Sequence, residues 1–362
     1  MQPYQMSMFS ANYYFKYTIR SKEVMSLRAF VKRWKKIVCL TCFICVPPLI
    51  YLLGSIEYLI AKPYSEFSWP LEVNLTRVIS DYETGHYHVA PINEQKFLLK
   101  VQPTADKCQD FKLLTVLIKS RVDGRKSRDV LRKTWVKSLT KNNYRHLFLL
   151  GSCASINSTS CEKDVRKEQS DYGDLLQGDF VDAYENNTIK MTMAFQYITE
   201  QCLPHSSVLY LLLIDDDYAL NVRKLESYLI ETAKKFDLYA GYVWKKSRPF
   251  RIHFHKHYMS LDQYPYSHYP PFVSAGAMLL TSDVVKKFYI VSKFSKYYPF
   301  DDVFYGFVAK KLNISPTDIG EFLPSYYNVP SVHSKSNKRL IGSHRFGKID
   351  EVFQIYKKFY NQ

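Results

Sequence analysis

Cysteine and glycine are both scarce, with 7 Cys and 12 Gly in 362 residues. The first excludes a small disulfide-framework protein, and the second excludes a collagen-like chain. Internal repeats and low-complexity segments are also missing. With 46% hydrophobic and 23% charged residues, bulk disorder is excluded as well. Acidic residues are in short supply, 34 against 50 Lys+Arg, for a net charge of +16. Such an excess permits a nucleic-acid partner, so its distribution along the chain matters. Aromatic residues are plentiful, 30 Tyr and 23 Phe, which suits a site or surface that handles rings, whether sugars or bases. The length allows one large domain or two ordinary ones with a sizeable core.

Residues 37–56, IVCLTCFICVPPLIYLLGSI, carry no charged side chain. About 20 helical residues cross a ~30 Å hydrocarbon core. A cleaved signal peptide has a shorter apolar region near residue 1, whereas 36 residues precede this one. Pro47-Pro48 is expected to kink the helix, which a membrane span tolerates. Residues 1–36 hold eight basic side chains against the single acid Glu23. The positive-inside rule therefore places the N-terminus in the cytoplasm. The expected organisation is a cytoplasmic tail 1–36, a signal-anchor helix 37–56, a lumenal stem 57–109 and a catalytic domain 110–362. Much of the basic excess is then topogenic, which argues against nucleic acid. Cys39, Cys42 and Cys45 lie in the span, as small apolar residues or palmitoylation sites. Cys108, Cys153, Cys161 and Cys202 form an even set with three possible pairings. N-x-S/T sequons start at Asn74, Asn157, Asn186 and Asn313, all beyond the span. Asn313, followed by Ser315-Pro316, is the least favoured of the four.

From about residue 110 short apolar runs appear: 113–118, 145–151 and 208–214. Continuous runs of this length suit strands buried on both faces. Helical patterns lie between and after them at 127–138, 185–201 and 222–236. This alternation predicts an α/β domain with a largely parallel sheet.

The third run leads directly into Asp215-Asp216-Asp217. Open α/β sheets bind ligands beyond the carboxyl ends of their strands. Alternation along an extended chain points Asp215 and Asp217 one way and Asp216 the other. Two carboxylates on one side offer hard oxygen ligands to a divalent cation, which can neutralise a diphosphate as it leaves. The plainer interpretation is a solvated turn after a strand.

Further motifs align in order: SRDVLRKTW (127–135), LFLLG (147–151), YGDLLQGDFVDAYENNTIK (172–190), LLLIDDDYALN (211–221), AGYVWKKSRPFR (240–251), KHYMSLDQYPYSHYPPFVSAGAMLL (256–280) and FDDVFYG (300–306). On these residues the chain resembles the beta-1,3-galactosyltransferase family, glycosyltransferase family 31, over roughly 112–360. The resemblance implies a GT-A fold, a Rossmann-like nucleotide-sugar-binding α/β domain with a mixed sheet, preceded here by one transmembrane helix. It also implies a UDP-sugar donor (UDP-galactose or a UDP-N-acetylhexosamine), Mn²⁺, inversion at the anomeric carbon, and a beta-1,3 linkage. The acceptor would be a glycan on glycoprotein or glycolipid, and the location the Golgi membrane. Departures from the family pattern are Asp301 for the usual Glu, His257 for a Trp, Asn187 and Met191 for commoner residues, and the stretched small-residue run Ser274-Ala275-Gly276. None of them removes a carboxylate.

For the metal the candidates are Asp217, Asp215 and His344, with Asp215 nearer the ribose or behind the direct ligands and Asp216 assisting; His333 is the rival to His344. Asp302 is the expected general base, as the more constant acid of the family's pair, with Asp301 beside it. The alternative for both acids is capping of a helix that begins near Val303. Arg128 and Arg132, four apart on a helix, share a face and are candidates for the donor's uracil or diphosphate; the alternative is a solvated basic face. Trp135 is expected in the core. Lys190, Ser274 and Gly276 are further donor-side candidates, and Lys256, Tyr258 and Tyr269 acceptor-side candidates. Two other functions compete: a catalytically silent membrane-anchored binding or chaperone protein of the same fold, and a metal-dependent phosphohydrolase built on the triplet.

Overall fold

The computed structural model describes residues 8–324 apart from 71–72, 94–96, 105–112, 155–157, 206–208 and 233–236, together with 340–344 and 356–357; side chains are described from residue 29. The chain divides into two compact units, Met1–Pro63 with Pro249–Ser267, and Tyr64–Arg248 with His268–Gln362.

In the first unit a long helix, α1 (Met8–Leu52), contains Pro47 and Pro48 without a break in the helix. Its apolar stretch Ala29–Leu52 is long enough to cross a membrane. The helix stops at Gly54, whose φ of +64° is the left-handed conformation common just past a helix end. A short helix, α2 (Ser55–Ile60), follows. The break thus falls within the predicted 37–56 segment, at the glycine rather than at the prolines.

In the second unit the apolar runs form three parallel neighbours, β2 (Leu114–Lys119), β3 (Arg145–Ser152) and β5 (Tyr210–Asp215). The remaining strands of this sheet are β1 (Leu99–Val101), β4 (Leu175–Val181), β7 (Tyr239–Trp244), β8 (Phe272–Thr281) and β9 (Thr317–Asp318). The strand order is β1-β4-β3-β2-β5-β8-β7-β9. β4 joins the parallel block, while β1 is antiparallel to β4 and β8 is antiparallel to both β5 and β7. The sheet is therefore mixed. An apolar run such as that of β8 reports burial but not strand direction.

Alternation sends Val116, Ile118, Phe148, Leu212 and Ile214 to one face. There they pack with Leu131 of α4 (Arg125–Lys133), Trp135 of α5 (Trp135–Lys141) and Leu225 of α8 (Val222–Thr232). The helix predicted over 127–138 is thus two helices, parted at Thr134, whose ψ of −118° is non-helical. Trp135 is fully buried and its indole N–H donates to the Tyr218 carbonyl at 2.9 Å. Tyr239 points the other way and meets Phe288 of α9 (Ser282–Ser292), which stacks on Tyr305 of α10 (Asp301–Lys311). Phe195 of α7 (Asn187–Tyr197) completes this aromatic layer. A small second sheet places β6 (Tyr218–Leu220) beside β11 (Gly342–His344), which pairs in turn with β10 (Phe322–Leu323).

Candidate active site

β2 and β5 run parallel in register, so Lys119 and Asp215 end side by side. The Lys119 ammonium lies 2.9 Å from Asp215 Oδ1 and 2.8 Å from Asp301 Oδ2, and is buried. Burial pulls the lysine pKa down, but the two carboxylates outweigh it and keep the ammonium charged. Asp215 is pushed up by burial against the opposing charge of Lys119. Asp216 turns to the other side, where its Oδ2 accepts from Ser120 Oγ at 2.6 Å. Burial, reinforced by the negative charges of Asp217 and Asp215, raises Asp216 to about 6.

Asp217 reaches His344, whose Nε2 lies 2.9 Å from Asp217 Oδ2. The small sheet makes this possible, because β11 runs antiparallel to β6 with His344 opposite Tyr218, one residue past the triplet. Burial opposes a charged His344, yet Asp217 and Asp215 raise its pKa overall. Ligand atoms of Asp215, Asp217 and His344 all lie within 4.8 Å of one another. Asp217 Oδ1 is buried and has no hydrogen-bond partner among the described residues. Two carboxylates and an imidazole with an orphaned oxygen fit a divalent cation by both geometry and donor chemistry.

The acid pair opens α10, whose N-cap is Phe300, so neither acid is the capping residue. Asp301 turns inward to Lys119. Asp302 is less buried; its carboxylate accepts from Val303 N–H at 2.8 Å and Ala275 N–H at 3.4 Å. Burial and the neighbouring Asp301 push Asp302 up to about 7. One acid of each group is therefore tied to Lys119, while Asp217 and Asp302 are not.

Arg128 is buried beneath this end of the sheet. Its guanidinium binds Glu168 at 2.8 and 2.7 Å, Ser120 Oγ at 3.1 Å and the Val122 carbonyl at 3.2 Å. Arg132 binds Glu168 at 2.8 Å and both Asp174 oxygens at 2.7 and 2.9 Å, and stacks over Tyr172. Neither guanidinium joins the carboxylate cluster directly; Arg128 reaches Asp216 through Ser120. Lys190 is buried, donating to the Ser120 carbonyl at 2.8 Å and to Asp182 at 2.7 Å, and burial lowers its pKa. Ser274 and Gly276 are half-buried on β8, and a Cβ on Gly276 would stand 2.7 Å from the Tyr218 ring. Tyr269 is buried, its hydroxyl 2.8 Å from that of Tyr298. Lys256 and Tyr258 belong to the first unit, where Lys256 is exposed and Tyr258 donates to Glu57 at 3.0 Å.

Among the sequon residues, Asn74 and Asn313 are exposed and Asn186 half-buried, while Asn157 lies outside the described residues. Cys153 and Cys161 are bridged, and Cys202 is also disulfide-bonded. Cys108 and His333 lie outside the described residues.

Lys119, Ser120, Asp182 and Glu168 escaped the sequence reading. Asp182 accepts from the N–H groups of Val122 and Gly151 at 2.8 and 3.0 Å, fixing the loop after β2. The available signal was position: Lys119 and Ser120 directly follow an apolar run that was already recognised as a strand.

Carboxylates, a lysine and a histidine gather near the carboxyl ends of the parallel strands of an α/β sheet, the place where open α/β sheets bind ligands. A family model described as Galactosyltransferase matches residues 126–320, more than half of the chain. The Caenorhabditis elegans beta-1,3-galactosyltransferase bre-5 is 31% identical over 279 residues, 76% of this chain and 80% of that protein. The Drosophila melanogaster beta-1,3-galactosyltransferase brn is 34% identical over 253 residues, covering 68% and 74%. The human lactosylceramide 1,3-N-acetyl-beta-D-glucosaminyltransferase is 28% identical over 344 residues, covering 90% and 86%. The chain belongs to the galactosyltransferase family, as its motifs led one to expect.

Proposed function

We propose that this chain is an inverting beta-1,3-hexosyltransferase of GT-A type. It transfers galactose or an N-acetylhexosamine from a UDP-sugar to a glycan acceptor on glycoprotein or glycolipid. It is anchored in the Golgi membrane by 37–56, with its catalytic domain in the lumen. The sugar-transfer reading is supported by family membership and by the names of the relatives above. The anchoring reading is supported by the apolar stretch Ala29–Leu52 and the basic tail before it.

The single observation that carries the mechanism is the convergence of Asp215, Asp217 and His344, with one Asp217 oxygen unpartnered among the described residues. These three residues would hold a divalent cation such as Mn²⁺, which supplies positive charge to the diphosphate leaving group. Lys119 pairs with one oxygen of Asp215 and one of Asp301, so Asp217 and Asp302 are the two acids it does not hold. Asp302, with the raised pKa of a base poised near neutrality, takes the proton of the acceptor hydroxyl. The acceptor oxygen then bonds to the anomeric carbon from the face opposite UDP, the bond to the diphosphate oxygen breaks, and its electron pair leaves with UDP. A single displacement gives inversion.

The test is transfer by full-length, detergent-solubilised protein offered a panel of UDP-sugars, with product linkage and anomer read by NMR. A beta-1,3 product whose formation stops with EDTA and returns with Mn²⁺ supports the reading. A product of retained configuration, or transfer indifferent to EDTA, contradicts it.

A further inference from the structure

The segment Pro249–Ser267, which links β7 to β8 along the chain, forms one compact unit with the end of α1 and with α2. The contacts are specific. The Leu52 carbonyl, at the last residue of the apolar stretch, accepts from His253 N–H at 3.0 Å. Lys62 N–H donates to the Pro265 carbonyl and Ser267 N–H to the Lys62 carbonyl, both at 2.8 Å. Tyr58 Oη accepts from Arg251 N–H at 3.2 Å. The His253 ring lies between Tyr51 and Tyr258, at 4.4 and 4.5 Å.

The segment's own shape is set by Arg251. This side chain is fully buried, and its guanidinium donates to the carbonyls of Met259, Tyr264 and Tyr266 at 2.6, 2.6 and 3.2 Å. Gly54 gives the segment room against the helix end: a Cβ there would fall 2.0 Å from the Arg251 carbonyl oxygen.

Depth follows from these contacts. The uncharged part of α1 runs from Ile37 to Leu52, about 24 Å at a ~1.5 Å rise, against a ~30 Å hydrocarbon core. With Lys36 at the cytoplasmic boundary, Leu52 lies close to the lumenal one, and His253, hydrogen-bonded to it, lies at the same level. Next to His253, Phe254 is 75% exposed, and Leu59 and Ile60 of α2 are 84% and 65% exposed. Exposed aromatic and aliphatic side chains with the exposed Lys256 nearby make up the composition of a membrane–water interface. In water these apolar side chains would stay uncovered.

We propose that Pro249–Ser267 is a lipid-facing collar, docked on the lumenal end of the anchor so that Phe254 enters the boundary between headgroups and acyl chains of the bilayer that α1 crosses. The proposal rests on the reading of α1 as a membrane anchor. The test uses full-length protein in phosphatidylcholine vesicles containing a phosphatidylcholine with a diazirine near its headgroup. After illumination, lipid adducts are mapped on tryptic peptides. Cleavage after Arg251 and Lys256 releases 252–256, which carries Phe254. Adducts on both the 37–56 region and 252–256 support the collar. Adducts on 37–56 alone overturn the collar while the anchor reading stands. Adducts on neither overturn both. In Gly54→Val the side chain collides with Arg251, so 252–256 is expected to lose most of its adducts while 37–56 keeps them. Unchanged labelling of 252–256 in that variant would overturn the docking.

Discussion

Two acid-rich regions of the larger unit treat their carboxylates in opposite ways. Beside β3, burial would raise Glu168 and Asp174, but their partners outweigh it. Arg128 and Arg132 hold Glu168 low, and His146 with Arg132 holds Asp174 at about 2. At the strand ends, burial and like charge push Asp215, Asp216 and Asp302 up. The first region meets its acids with two arginines and a histidine, whereas in the second one lysine serves both Asp215 and Asp301. Fully partnered acids stabilise a fold. Under-partnered acids at a strand end are candidates for a ligand or a proton.

The largest effect is expected at Asp217, the acid proposed to face the metal. Asp217→Asn should abolish transfer and weaken Mn²⁺ binding measured by calorimetry, with the melting temperature little changed. Wild-type turnover in that variant would place the cation elsewhere.

Breaking the other region should damage the fold instead. Arg128→Met leaves Glu168 short of its closest partner inside the protein. Removing one member of a buried pair costs about 3–5 kcal/mol. Denaturant unfolding should show that loss, and the protein that remains folded should turn over at a rate within a few-fold of wild type. A stable Arg128→Met protein that fails to bind UDP-sugar would instead make Arg128 a donor residue.

A smaller effect separates the regions by pH. A base raised to about 7 is protonated below that value, so kcat should fall as pH drops through about 7, well above the ordinary carboxylate range. The scaffold acids have lowered pKa values, so their stabilisation persists at neutral pH and is lost only as pH falls toward about 2. The pH–rate profile and the pH dependence of melting should therefore break at different places. A common break near pH 4 would remove the distinction.

The parallel block, the topological place of the triplet and the opposite facing of Asp215 and Asp216 are legible because strand burial and side-chain alternation are local properties. Asp215 and Asp216 turn to opposite sides for that reason. Strand direction at β8 was not legible, since Phe272–Thr281 is apolar whichever way it runs. The surroundings of Arg128 and Arg132 were also hidden. Their spacing showed a shared helical face, but Glu168 and Asp174 are 40 and 42 residues away along the chain. Lys119 is a single charge at a strand end, and only the pairing of β2 with β5 and the approach of α10 give it two acids to join.

On this proposal the under-partnered acid, not the well-partnered one, carries the chemistry. The direct measurement is kcat and melting temperature for Asp302→Asn beside Glu168→Gln, above pH 7. Asp302→Asn should lower kcat by about 10²–10⁴-fold. It should melt at or above wild type, because a carboxylate with a raised pKa destabilises the fold once it ionises. Glu168→Gln should melt lower and keep its turnover. Near-normal kcat in Asp302→Asn, with loss of turnover confined to Glu168→Gln, would contradict the account.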